Sequence, residues 1–313
     1  MVRRKTIKRK KKKCKGGNNK SFHKMNCNPK VNGKNVVKDS CFPPETLVLL
    51  KESYNKYHPE NKINSTELTQ IWEELNKRLG QCSKEDCWLN QIQDDDVRKK
   101  IHIDSFAPSQ PKEWKKNPDE WLSNFDIINV LTQYEKTYKE FYLIGPTPID
   151  FDSRPKDLEG KCVWDELCKF DLDKHMKNGK RKIGIVFNLD KHNQSGSHWV
   201  SMFVDLDDKF VFYMDSAGKK IPKEIKDLFD RIYEQGLAMQ PPLKLEFYEN
   251  SPLEHQMGNT ECGMYTLYFI ITMLTGKTEG KVFHNYMEKI IFFKNKRIPD
   301  NYMKRYRNIY FNG

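Results

Sequence analysis

The segment GSHWVSMFVDLDDKFVFYMDS, residues 196–216, places a histidine at the start of one apolar run and an aspartate at the end of the next. Both runs are rich in β-branched and aromatic residues, which predicts two strands, and Asp207-Asp208 between them predicts a tight hairpin turn. Because the start of one strand lies beside the end of its antiparallel partner, we expect the side chains of His198 and Asp215 to meet. The hairpin therefore brings an imidazole and a carboxylate to one edge of a sheet.

The sequence around this hairpin predicts a domain of the α+β class. The segment CGMYTLYFIITMLTG, residues 262–276, is apolar on nearly every side, as expected of a helix buried in the centre of a domain. Mixed strands around one buried helix are typical of α+β domains. Further strands are predicted at 181–189 and 243–250, and further helices at 222–236, near 284–295 and near 299–308.

The part of the chain before this domain has a helical pattern. ETLVLLKESYNKYHP ends in a proline, and NSTELTQIWEELNKRLG repeats apolar residues at helical spacing. A third, short helix is predicted near 87–93. We therefore predict a basic disordered tail and linker at 1–43, a small helical domain at 44–115 and the α+β domain at 116–313.

The net charge of +12 is concentrated in residues 1–20, which hold eleven Lys and Arg and no acidic residue. A block of like charges with few apolar residues predicts disorder. Such a tail acts as a solubilising segment, as a nuclear import signal or as a non-specific contact to DNA or RNA. It also contains Gly16-Gly17, a candidate site of self-processing.

Composition argues against a secreted or membrane-spanning protein and against a metal site. Lys and Arg continue where the apolar core of a signal peptide would lie, and the longest apolar stretch, 265–274, is shorter than the roughly 18 residues of a membrane span. The eight cysteines are therefore expected to be reduced thiols in a cytosol-like compartment. Neither metal nor cofactor is predicted, because the spacing is too loose for zinc among Cys14, His23, Cys27 and Cys41.

Cys262 opens the predicted buried helix, where free N–H groups and the helix dipole stabilise a thiolate. A thiol of ordinary pKa, about 8.5, is mostly protonated at neutral pH, and an adjacent imidazole such as His198 turns it into a nucleophile. Asp215 would orient that imidazole. The amide of Gln256, with a backbone N–H, would hold an oxyanion, and Gly263 would leave space beside the sulfur.

Each of these residues alone has an ordinary explanation, as a core cysteine, a loop histidine or a turn aspartate. Their order along the chain, His–Asp–Gln–Cys, with each at the boundary of a predicted element, is a more specific signal. Two other histidines are set aside as the base. His192 lies in the loop DKHNQSGS, and His255 precedes Gln256 without a supporting strand.

GSHWVSMFVDL, FVFYMDSAG and HQMGNTECGMYTLYFI resemble the His-Trp, Asp-Ser and Gln-x5-Cys-Gly motifs of the Ulp1/adenain-type (C48-like) cysteine proteases. EWLSNFDIINVL, residues 120–131, is similar to the Trp-Leu-x-Asp segment of that family. The resemblance implies a papain-like core in permuted chain order. It assigns the base to His198, the orienting carboxylate to Asp215, the nucleophile to Cys262 and the oxyanion hole to Gln256.

The resemblance also implies a substrate site formed by aromatic residues. Trp121 and Trp199 match the residues that clamp a Gly-Gly tail in the deSUMOylating branch, whereas Asn124 stands where that branch has Asp. The helical N-terminal addition and the Lys/Asn-rich composition resemble the maturation proteases of large cytoplasmic DNA viruses, African swine fever virus and giant viruses among them.

The first expectation is therefore a cysteine endopeptidase that cleaves after Gly-Gly-type residues in structural or core precursors during virion maturation. It would act in the virion and the host cytoplasm, or in the nucleus if the basic tail directs import. The alternative with the same chemistry is a SUMO- or ubiquitin-like deconjugase. A third, from another class, is a non-catalytic scaffold that binds peptides or nucleic acid. The need for a DNA or peptide activator and the oligomeric state stay open.

Overall fold

The computed structural model describes residues 22–31, 33 and 36–313. The predictions for residues 1–20, namely disorder, polyanion contact and self-processing at Gly16-Gly17, concern residues outside that range. The described residues fall into two compact units. The first comprises 22–25 and 36–99, and the second comprises 26–31, 33 and 100–313. The chain thus divides at 99/100, whereas the sequence placed the boundary at 115/116.

The first unit is built from short helices. Its elements are α1 (Pro44–Tyr57), α2 (Leu68–Arg78), a 3-10 helix (Glu85–Gln91) and the start of α3 (Asp95–Ser105). Glu85 is buried, and it accepts hydrogen bonds from the Cys41 N–H and from Nε1 of Trp72. Burial raises the pKa of this carboxyl group. Val37, Cys41 and Phe42 are also buried, so the segment assigned to the linker packs into this unit.

The second unit contains a five-stranded mixed sheet, in the order β1-β2-β3-β4-β5. Its strands are β1 (Phe141–Pro148), β2 (Lys182–Asn188), β3 (Trp199–Asp205), β4 (Phe210–Met214) and β5 (Glu246–Glu249). The outer pairs, β1 with β2 and β4 with β5, are parallel, and the inner pairs are antiparallel. The predicted hairpin is therefore confirmed, and it forms the centre of the sheet.

Helices cover both faces of this sheet. Residues 262–274 of α8 are all buried, in a core shared with α4, α9 and α10, and α7 packs into a second core on the opposite face. This arrangement confirms the predicted α+β class. The helices of this unit are α4 (Asn124–Thr137), α5 (Asp165–Cys168), α6 (Leu172–Lys177), α7 (Lys223–Leu237), α8 (Cys262–Thr275), α9 (Tyr286–Asn295) and α10 (Asp300–Tyr310); β6 (Lys277–Thr278) and β7 (Lys281–Val282) form a small ribbon.

The expectation that all cysteines are reduced is wrong for several of them. Disulfides join Cys82 to Cys87 and Cys162 to Cys168. The intervening chain turns back in both cases, and the paired Cα atoms lie 5.6 and 6.3 Å apart, within the range that a disulfide spans. Cys262 remains a free, buried thiol. Across the described residues, no helix is long and apolar enough to cross a bilayer.

Candidate active site

The β3–β4 hairpin places His198 and Asp215 in direct contact. Nε2 of His198 lies 2.7 Å from Oδ1 of Asp215, whose side chain is only 1% exposed. The same oxygen accepts the backbone N–H of Ala217 at 2.8 Å. A buried carboxylate held in this way fixes the orientation of the ring.

Asn250, a residue that the sequence analysis missed, anchors the backbone of Asp215. Its Oδ1 accepts the Asp215 N–H at 2.9 Å, and its Nδ2 donates to the Asp215 carbonyl at 2.7 Å. Asn250 follows β5, which runs parallel to β4, so both residues lie at the same edge of the sheet. Its place as a polar residue at the end of the predicted strand 243–250 is the signal that could have identified it.

Cys262 lies close enough to the His198 ring, which is bonded to Asp215, to affect its protonation. Because Nε2 of the ring faces Asp215, Nδ1 is the nitrogen left for the sulfur. Burial opposes protonation of the ring, but hydrogen bonds to Asp215 and Cys262, together with their negative charges, raise the pKa of His198 to about 9. This balance favours the protonated, imidazolium form of His198.

The position of Cys262 in α8 adds a second stabilising element. It is the first residue of this 14-residue helix, and its side chain is buried. The N–H groups of a first helical turn have no partner within the helix, and the dipole places positive potential at that end. The predicted nucleophile and free backbone N–H donors therefore come from the same helical turn.

Gln256 lies in the loop that leads to α8, and both polar atoms of its side-chain amide are hydrogen-bonded. Its Oε1 accepts from Oγ of Ser216 at 2.8 Å, and its Nε2 donates to the carbonyl of Gly258 at 2.9 Å. A primary amide carries two N–H hydrogens, so a second donor remains on Nε2. The prediction that this amide faces an oxyanion is chemically compatible with that geometry.

The predicted clamp residues lie together, but Gly263 has a different role from the one expected. Nε1 of Trp199 donates to the Leu122 carbonyl at 3.0 Å, and Trp121 is 41% exposed. A Cβ atom on Gly263 would lie 3.0 Å from Cβ of Leu122 and 3.3 Å from Cδ1 of Trp199. The space beside Gly263 is therefore filled by protein side chains, and this glycine lets the clamp segment pack on α8.

A cleft of about 540 Å³ adjoins the two indoles. Asn124, the exposed first residue of α4, also lines this cleft. Three of the four residues predicted to bind substrate therefore share one cavity, and Gly263 is the fourth. Pro146, Trp164 and His192 also line this cleft.

The two histidines that were set aside have other partners. Nδ1 of His192 lies 2.7 Å from Oδ2 of Asp150, and this hydrogen bond raises the pKa of His192. His255 is fully buried, and its Nε2 lies 3.0 Å from the carbonyl of Phe293. Burial lowers the pKa of His255 to about 4. Within the described part of the chain, no group of three or more His, Cys, Asp or Glu residues is arranged to hold a metal ion.

Comparisons with known proteins agree with this geometry. Residues 180–311 match the Ulp1 protease family, C-terminal catalytic domain. A protein of Acanthamoeba polyphaga mimivirus, which is named as a thiol protease, is 28% identical over 267 residues, covering 79% of this chain and 84% of that protein. A protein of African swine fever virus, which is named as a cysteine protease, is 26% identical over 231 residues, covering 69% of this chain and 81% of that protein.

The fold is also that of a solved structure. The crystal structure of an African swine fever virus protease superposes with a TM-score of 0.61 at 21% sequence identity. The match covers 93% of this chain and 97% of that one.

Proposed function

Residues 180–311 match the Ulp1 protease family, and we propose that this cysteine-type peptidase is an endopeptidase that cleaves protein chains after small residues of the Gly-Gly type. The observation that carries the proposal is the hydrogen bond between His198 and Asp215, with Cys262 close enough to influence the ring. Trp199, which lines the cleft, follows His198 directly in the chain.

The proposed reaction begins when Cys262 gives its proton to His198 and the sulfur attacks the carbonyl carbon of the scissile peptide. The resulting oxyanion takes hydrogen bonds from the free N–H of Gln256 and from the first turn of α8. His198 then protonates the leaving amine, which leaves a thioester on Cys262. A water molecule that loses its proton to His198 hydrolyses the thioester and restores the thiol. Asp215 keeps the ring oriented throughout.

The preference for glycine follows from the two indoles. Trp121 and Trp199 line one cleft, and Trp199 follows His198 directly in the chain. Two bulky, flat indole walls leave room for a peptide backbone whose residues carry no side chains. A residue with a Cβ substituent would have to displace an indole, and the Trp199 indole is fixed by its hydrogen bond to Leu122.

We propose structural or core precursor proteins of a virion as the substrates, with cleavage in the virion and the host cytoplasm. The support is that both curated relatives described above are viral proteins named as proteases. Residues 1–20 would add a non-specific contact to DNA or RNA, because eleven positive charges release counterions on binding a polyanion.

A SUMO-like deconjugase is the second candidate. One African swine fever virus relative, 26% identical over 156 residues, is named a SUMO-1 cysteine protease. Asn124 weakens this candidate, because the deSUMOylating branch has an acidic residue at that position.

The test compares two matched hexapeptides that differ only in having Gly-Gly or Leu-Leu before the scissile bond, with Cys262→Ser as the blank. We expect kcat/KM to be about a hundredfold higher for the Gly-Gly peptide. Equal rates would refute the preference. A folded SUMO conjugate offered in parallel separates the two candidates, since its faster turnover would favour the deconjugase.

The contribution of the basic tail is tested by deleting residues 1–20. We expect unchanged peptide cleavage, together with weaker DNA binding and a smaller dependence of that binding on salt. An unchanged salt profile would contradict a polyanion contact through the tail.

A further inference from the structure

A buried carboxylate lies directly before the proposed nucleophile. Glu261 is the N-cap residue of α8, and its side chain is 1% exposed. A negative charge at a helix N-terminus interacts favourably with the dipole, but the same charge disfavours a thiolate on the next residue. Catalysis by Cys262 therefore requires that this carboxylate be neutralised.

Helix α10 supplies the neutralising group. Nε and Nη2 of Arg307 donate to the two carboxylate oxygens of Glu261 at 3.0 and 2.9 Å. The Arg307 side chain is only 5% exposed, so little solvent screens the pair. A guanidinium that binds both oxygens fixes the orientation of its partner as well as compensating its charge.

The same guanidinium reaches the segment before Trp121. Its Nη1 donates to the carbonyls of Pro118 and Glu120 at 3.1 and 2.8 Å. The Cζ atom of Arg307 lies 4.4 Å from the ring centre of Trp114. Trp121 follows Glu120 directly in the chain. One side chain therefore joins the N-terminus of the catalytic helix to the segment that carries a tryptophan of the cleft.

We propose that Arg307 is a positioning residue for the peptidase reaction: it compensates the Glu261 carboxylate beside Cys262 and holds the Trp121 segment against α8. This inference rests on the proposed function, because it takes Cys262 as the nucleophile.

The other titratable groups near Glu261 do not replace Arg307. Lys304, one turn earlier on α10, pairs at the surface with Asp119 at 2.8 Å and acts on Glu261 only through space. Other titratable groups in this region are the Tyr265 hydroxyl, Asp300 bonded to that hydroxyl, and His198 beside Cys262.

The experiment measures the rate of Cys262 alkylation by iodoacetamide as a function of pH in the full chain, quantified by mass spectrometry of the Cys262 peptide. Arg307→Met removes the charge but keeps an unbranched side chain against Trp114. We expect alkylation at neutral pH to slow by about tenfold and the profile to move about one unit toward alkaline pH. The double variant Glu261→Gln/Arg307→Met should regain the wild-type rate within about threefold, since no unpaired carboxylate remains.

Lys304→Met is the matched control, because it removes a cation from the same helix but from a solvent-exposed ion pair, and its alkylation rate should not change. A cooperative thermal transition checks that each variant is folded. Should Arg307→Met fail to fold, Arg307→Lys carries the test. Lysine keeps the positive charge but cannot make the several directed hydrogen bonds of the guanidinium. The pH profile of alkylation should therefore stay at the wild-type position, while KM for a Gly-Gly peptide rises because the Trp121 segment is held less firmly.

Three results would overturn the inference: an unshifted profile in folded Arg307→Met, no recovery in the double variant, or a shifted profile in Arg307→Lys. If wild-type Cys262 is not alkylated ahead of the other seven cysteines, the proposed function fails instead.

Discussion

His198 and His255 lie in opposite electrostatic surroundings within one unit of the protein. At the hairpin, His198 lies between the carboxylate of Asp215 and the thiol of Cys262, and its pKa is raised to about 9 despite partial burial. His255 is fully buried, and its Nε2 faces the carbonyl of Phe293 in α9. Burial lowers the pKa of His255 to about 4.

Burial alone therefore does not decide what a histidine does in this protein. Both rings lose solvent, but only His198 gains anionic partners that offset the cost of its charge. His255 satisfies its two nitrogens with one backbone acceptor and one backbone donor, the Ile298 N–H at 3.1 Å, and so it stays neutral. The first environment suits proton transfer, and the second suits a structural link.

The largest expected difference between these regions is in turnover. His198→Ala should reduce kcat to below about 1% of the wild-type value, because the thiol loses its base. His255→Gln should keep kcat within about threefold but lower the free energy of unfolding by about 1–3 kcal/mol, since a buried hydrogen-bonded group is replaced. Peptide cleavage and thermal unfolding measured on both variants check this. Residual activity above about 1% in His198→Ala would break the comparison.

A smaller but still large effect is expected at the carboxylate. Asp215→Asn should lower kcat by about 10²–10⁴ with little change in KM, because the amide favours the wrong tautomer of the ring while preserving its position. Steady-state kinetics measures both constants. A fall in kcat of less than about tenfold would mean that His198 is oriented by other groups.

The opposite pKa shifts of the two histidines predict opposite pH dependences of the free energy of unfolding: the contribution of His198 is lost at alkaline pH and that of His255 at acidic pH. Folding raises the pKa of His198. Its contribution to the free energy of unfolding is therefore fully present below 6.5, the pKa of the unfolded state, and is lost as the pH rises through about 9. Folding lowers the pKa of His255. Its contribution to the free energy of unfolding is therefore fully present above pH 6.5 and is lost as the pH falls toward about 4.

Denaturant unfolding across this pH range separates the two contributions. The alkaline limb should flatten in Asp215→Asn, and the acidic limb should flatten in His255→Gln. If either substitution flattened the limb assigned to the other histidine, the electrostatic comparison would be wrong.

The smallest expected effect concerns packing beside the His198 region. Gly263→Ala should lower the free energy of unfolding by about 1–3 kcal/mol, because its Cβ meets Leu122 and Trp199 at 3.0 and 3.3 Å. KM for a Gly-Gly peptide should rise as the indole shifts. Unchanged stability and KM would indicate that Leu122 and Trp199 yield without cost.

The local part of this site could be predicted from the sequence, and the long-range part could not. A hairpin brings His198 and Asp215 together by backbone pairing alone, and a helix that is apolar on every side marks Cys262 at its first turn. By contrast, Glu261 is one residue from the nucleophile, but its partner Arg307 comes from the last helix, and no periodicity or spacing encodes that pairing.

Strand β1 was missed for a related reason. Its sequence, FYLIGPTP, contains Gly145, Pro146 and Pro148, which locally favour a turn, and its strand conformation depends on pairing with β2. Tertiary pairing outweighs local propensity at such a position.

Helix α8 has one more consequence for the protein. Its residues from Cys262 to Leu274 are buried, so the proposed nucleophilic sulfur is attached to a helix that is almost wholly excluded from solvent. Local fraying cannot remove the sulfur from its pocket without opening the core, so inactivation by heat or denaturant should coincide with global melting. Amide hydrogens in the second and later turns of α8 should accordingly be among the slowest to exchange with deuterium.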